Sequence, residues 1–229
     1  PLFTRDLFIN QYYIDQFVER REQLLQEILQ SLDADSRAAL ALIYMRNGRL
    51  ESPVKLQLSE TQALERLGSD LGRCILALEA LRGSLVLFSH ASGESAWQFK
   101  HPTIGDAYAT LLMQSPEHLD IFIQGSAPDR LIDQVTCGDV GLEKAIVVPK
   151  SLFPPMLARL REMLQSRSYK TAWLSTFGAK RDLQGFLANR CSKEFLSLYL
   201  KDNPDLLDQV SEPGLFLDTV PEVRLAKRL

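Results

Sequence analysis

The chain has 229 residues, 45% of them apolar and 24% charged, with a formal net charge of −3. That much apolar material fills a sizeable core, which excludes disorder over most of the length and allows one large domain or two small ones. The longest apolar runs, such as AALALIYM and LVLF, are far too short to cross a bilayer, so no membrane partner is expected.

Charge is spread unevenly along the chain. Residues 1–149 hold 13 Lys+Arg against 20 Asp+Glu, and residues 150–229 hold 13 against 9. Such asymmetry fits either a partner surface or two halves of one molecule that face each other. Cys74, Cys137 and Cys191 are odd in number and far apart, the pattern of reduced thiols in a cytoplasmic protein. PLFTRDLFINQYY lacks the basic start and apolar core of a signal peptide. It also lacks an initiator Met, so we expect a piece of a longer polypeptide. No CxxC, HxxxH or HExxH spacing occurs, and no metal site is expected.

In chain order, residues 10–32 carry Ile14, Phe17, Val18, Leu24, Leu25, Ile28, Leu29 and Leu32 at the spacing of an amphipathic helix. Asp33 or Asp35 can cap a second helix, SRAALALIYMRN, which Gly48 stops. Pro53 in RLESPVKLQL forbids a central strand position. Ser59 with Gln62 three residues on predicts a capping box for TQALERLG. Asp70 then opens LGRCILALEALRG, closed by Gly83. SLVLFSH and SAWQFKH around the small-residue turn ASGE predict a β-hairpin. Three helices and a hairpin are the arrangement of a winged helix. HPTIGDAYATLLM begins another helix, with Pro102 in its first turn and Thr103 available as a cap. From 116 onward helical patterns are broken by turn signals, with a short β-branched run in GLEKAIVVPKSLFP, bounded by Pro149 and Pro154, and no strict repeat.

The expected fold class is therefore mostly α. A linking helix occupies 1–32, a winged helix (three helices plus a β-hairpin) 33–114, and an irregular helical array 115–229.

Chemistry is sparse. The chain has no GxxxxGK[ST] phosphate loop, no GxGxxG and no GxSxG, so no catalytic residue is assigned and the chain is not expected to be an enzyme by itself. His101 stands where the second hairpin strand hands over to a helix. Free backbone N–H groups at such a junction favour an anion, and an imidazole there can donate to a phosphate. The alternative is that His101 packs against or caps the turn. Arg159, Arg161, Arg167, Lys170, Lys180, Arg181, Arg190 and Lys193 outnumber the two acids among them, Glu162 and Asp182. They fit either a polyanion or partner surface, or a solvated face behind an aromatic stripe of Tyr169, Trp173 and Phe177. Residues 33–113 carry 8 Lys+Arg and 9 Asp+Glu, a poor balance for reading DNA.

The order of elements, with Phe99-Lys100-His101-Pro102-Thr103-Ile104-Gly105-Asp106 at the junction, resembles the winged-helix domain of STAND NTPases. These are signal-transduction ATPases with numerous domains, among them immune receptors and bacterial anti-phage sensors. In that class a Met-His-Asp type of motif stands at this junction, and its His touches the phosphate of bound ADP. Of that motif only His101 is present; Lys100 replaces the Met and Pro102 the Asp. The Phe-x-His-Pro-Thr form is closer to the bacterial novel-STAND proteins. The resemblance implies an ATPase parent that uses ADP or ATP with Mg²⁺, held by an upstream nucleotide-binding domain outside this chain. It implies protein partners and a homo-oligomer of the parent, with nucleic acid as the alternative partner.

Overall fold

The structure is a computed structural model that describes residues 23–91, 93–142, 145–165 and 173–205. It is mostly helical, with a small sheet. Residues 23–31 form α1 and Leu32 falls in a bend; residues 10–22 of the helix expected over 10–32 lie outside the described residues. There follow α2 (Ala34–Met45), β1 (Arg49–Ser52), α3 (Leu58–Arg66), α4 (Leu71–Leu81), β2 (Val86–Ala91) and β3 (Glu94–Phe99). Then come α5 (Pro102–Gln114), α6 (Pro116–Gly125), α7 (Pro128–Gln134), β4 (Val135–Cys137) and β5 (Ile146–Val148). A 3-10 turn at Lys150–Leu152 leads into α8 (Phe153–Gln165), α9 (Trp173–Arg190) and α10 (Lys193–Asp202).

The first half follows from caps and stops. Asp33 Oδ1 accepts the Ser36 backbone N–H at 2.8 Å and starts α2. Gly48, at φ +81°, returns its N–H to Ile43 O and ends it. Between these points α2 is buried almost all round, from Ala38 to Ile43, so it is the central rod of the core. Asp70 Oδ1 opens α4 by accepting from Arg73 N at 3.0 Å. For α3 the expected cap is corrected: the box is Gln57 with Glu60, not Ser59 with Gln62, and Gln57 N donates to Glu60 Oε2 at 2.7 Å. Arg46 fixes that choice by gripping Glu60 with Nε at 2.6 Å and Nη2 at 2.7 Å.

β2 and β3 form the expected hairpin, and β1 adds to its far side, giving the antiparallel order β1-β3-β2. β1 ends immediately before Pro53, an edge position where the missing N–H removes no ladder bond. Trp97 sits opposite Leu50 on one side and Phe88 on the other, its ring 4.6 Å from that of Phe88.

The second half contains a two-stranded parallel sheet in which β5 falls in the β-branched run of the sequence and β4 had no such signal. The far edge of β4 meets Cys191, and Ser192 N donates to Cys137 O at 2.8 Å. Gly138 lets these segments approach, since a Cβ there would lie 2.8 Å from Ser192 and its φ is +83°. The hydrophobic core runs without a break from Leu29 to Tyr199, so residues 114 and 115 do not separate two cores. α3 lies on α6 so closely that a Cβ on Gly125 would come 2.7 Å from the Ala63 methyl.

Candidate functional site

His101 is the N-cap residue of α5. Its Nδ1 faces the Thr103 hydroxyl at 2.9 Å and accepts from Thr103 N at 3.3 Å, so Thr103 is capped rather than the cap. An Nδ1 that accepts a backbone N–H places the proton of the neutral ring on Nε2. The residue is exposed, so this Nε2–H is an available donor at the start of α5, where Pro102 has no N–H and those of Thr103 and Ile104 are taken by His101 Nδ1 and His101 O. Lys100, its neighbour, donates instead to Gly83 O at the α4–β2 turn. Among the described residues, no group of three His, Cys, Asp or Glu side chains stands close enough to hold a metal ion.

Of the basic residues of 159–193, the structure describes the side chains of Arg159, Arg161, Arg190 and Lys193. Arg159 is corrected: it is 8% exposed and turned inward, donating to the Ser126 carbonyl and to Glu162. Burial lowers its pKa, against the pull of Glu162, and its Nε has no partner. The cause is visible in α8, whose buried stripe is Phe153, Met156, Leu157, Leu160 and Met163; Arg159 falls within it. Arg161 pairs with Asp202. Arg190 donates to Val135 O at 3.4 Å, and Lys193 is exposed in the first turn of α10. Arg167 and Lys170 lie outside the described residues, as do the side chains of Lys180, Arg181, Tyr169, Trp173 and Phe177. The cations on α4 are also engaged, Arg73 with Asp70 and Asp35, and Arg82 with Glu79.

A cleft of about 320 Å³ opens where the two halves meet. Tyr44 and Asn47 come from the end of α2, Phe99 from β3, Asp106 from α5, Asp133 and Gln134 from α7, and Arg190 from α9. Tyr44 is the hub of an aromatic group, its ring 5.3 Å from Tyr108, 5.4 Å from Phe122 and 6.4 Å from Phe99. Burial and the Asp106 charge push its hydroxyl pKa up to about 12, so it stays protonated. Burial raises Asp133, Asp182 raises it further, and Arg190 acts the other way. Gln134 Nε2 donates to Tyr44 O and to Asn47 Oδ1, both at 3.2 Å, while its buried Oε1 has no partner.

Sequence reasoning missed this cleft because its lining residues come from five elements, none of which carries a spacing that links it to another. His101 is not among the lining residues. Compared with known protein families, curated proteins and solved structures, the chain matches none of them. No described helix is long and apolar enough to cross a membrane.

Proposed function

We propose that residues 33–114 are a winged helix serving as a regulatory module, and that the chain is the regulatory and interaction portion of a nucleotide-dependent switch. More particularly, the reading is of a bacterial STAND-type ATPase, with the nucleotide held by an upstream domain. The order α2-β1-α3-α4-β2-β3 and the sheet order β1-β3-β2 support the winged helix.

One observation carries the switch: His101 stands at the strand-to-helix junction with Nδ1 committed to Thr103. That commitment leaves the Nε2–H as a donor for a phosphate at the positive end of the α5 dipole. Loss or gain of a phosphate contact at such a point biases a two-state interface, and the continuous core would pass that bias to the helices after residue 115. In the parent this would release partner binding and oligomerisation, with anti-phage signalling as the setting that the resemblance suggests.

The test is to purify the natural polypeptide, denature it and identify released nucleotide by chromatography. ADP should be present in wild type and reduced in His101→Ala. Because loss of the cap itself costs about 0.5–2 kcal/mol, His101→Asn is the second variant: it can cap but is too short to present a donor where Nε2 stands. Nucleotide absent from the wild type, or retained in both variants, overturns the proposal.

A further inference from the structure

Two of the three cysteines meet in the second half of the molecule. Cys137 ends β4, Cys191 follows the last residue of α9, and the two form a parallel β-bridge. Bridged residues stand side by side at about the 4.7–4.9 Å spacing of neighbouring strands, with their side chains on one face. A disulfide closes over about 4.4–6.8 Å between Cα atoms, so the backbone already meets that requirement. Hydrogen bonds hold it there: Ser192 N donates to Cys137 O at 2.8 Å, Gly138 N to Val148 O at 2.9 Å and Arg190 Nη1 to Val135 O at 3.4 Å. The two thiols are fully buried and in hydrogen-bond contact with each other. Burial first, and the neighbouring thiol second, keep Cys137 protonated. Cys74 stands apart on α4, its sulfur 3.5 Å from Ser69 Oγ.

We infer that Cys137 and Cys191 are a redox pair, reduced at rest and closed to a disulfide by a small-molecule disulfide of the glutathione class once the corner they share has opened. The thiolate of one cysteine attacks a sulfur of the oxidant, forms a mixed disulfide and releases the first glutathione thiolate. The other cysteine then attacks the protein sulfur of that bond, forms the Cys137–Cys191 bond and releases the second. Two electrons pass from the protein thiols to the oxidant, and the two protons end on the departing thiols.

Burial sets when this can happen. A glutathione-sized molecule cannot reach a fully buried S–H, and a protonated thiol is a poor nucleophile, so the closed corner is protected. Opening exposes both sulfurs, and reclosing returns Cys191 to the side of Cys137, where the second attack is intramolecular. The bond therefore records one opening and prevents the next, by fastening β4 to the junction of α9 and α10. The inference is independent of nucleotide binding and of His101.

The experiment holds the purified whole chain in equimolar oxidised and reduced glutathione, at mildly alkaline pH, until its thiol content is constant. Acid then stops the exchange, and the remaining thiols are alkylated in denaturant; the control is the same chain in dithiothreitol. Thiols should fall from three to one. Tryptic digestion should join peptide 131–144 to peptide 191–193, and peptide 74–82 should carry the alkylated Cys74. The oxidised chain should melt about 5 °C or more above the reduced one, a gap that persists in Cys74→Ser and vanishes in Cys137→Ser. Where Cys137→Ser does not fold, the joined peptide and the Cys74→Ser gap decide. Three remaining thiols, a bridge that includes Cys74, glutathione left on either cysteine, equal melting of the two forms, or a gap that survives in Cys137→Ser would overturn the inference.

Discussion

Arg46 and Arg159 are both withdrawn from water, and they differ in what their removal would leave behind. Arg46 makes a two-pronged contact with Glu60, which is 5% exposed, and also donates to Lys55 O at 2.6 Å. Replacing it with Met strands a buried carboxylate, and Arg46→Met should cost about 3–5 kcal/mol. Arg159 has an acid partner, Glu162, whose side chain is 56% exposed and would rehydrate. Its own Nε is a buried donor without a partner, so removal also lifts a penalty. Arg159→Met should cost only about 1–2 kcal/mol, mainly through the lost bond to Ser126 O. Denaturant unfolding of the two variants checks this, and the reverse ranking would contradict it. Arg159 also shows a limit of reading charge along a sequence. Its charge groups it with the other basic residues, whereas its place three residues from Met156 and four from Met163 puts it on the buried stripe of α8.

Elements with a cap and a stop were legible, because both signals act over a few residues. Asp33, Gly48, Asp70 and the turn of the hairpin are where the local chemistry says they should be. β1 and β4 were not legible and β5 showed only as a short β-branched run, because three or four residues are too few to show a period of two. The cap of α3 was misplaced because Arg46, from another helix, decides which acid sits at its third position. The Asp33 cap has a measurable pH signature. The Ser36 backbone N–H, more than any other cause, holds its carboxyl below the usual carboxylate range. Its ionised form therefore stabilises the fold at every pH above about 4, and that contribution fades as pH falls through the lowered folded-state value. Asn also caps helices but does not titrate, so Asp33→Asn should flatten the acid side of a plot of Tm against pH. An acid limb as steep as in the wild type would refute the assignment.

At the scale of the molecule, the described residues of both halves share one core. The cleft could not be foreseen, since Tyr44, Asp106, Asp133 and Arg190 become neighbours only when four helices are in place. One core implies one cooperative unit. Cys74 reports on the first half and Cys137 and Cys191 on the second, and all three are fully buried. Burial pushes the Cys74 and Cys137 thiols above their ordinary pKa, so neither is readily a thiolate. The native chain should resist alkylation, and all three thiols should become reactive over the same denaturant range in which Trp97 is exposed. Labelling of Cys74 well before the other two, or the reverse, would show that the halves unfold separately.

The contact between Cys137 and the Cys191–Ser192 corner also sets an order of events during synthesis. A growing chain on the ribosome can pair β4 with β5 soon after both have emerged, but one edge of β4 stays bare until the end of α9 has been translated and has cleared the exit tunnel. Through that interval the nascent protein carries an open strand edge, the kind of surface that chaperones and neighbouring nascent chains both find.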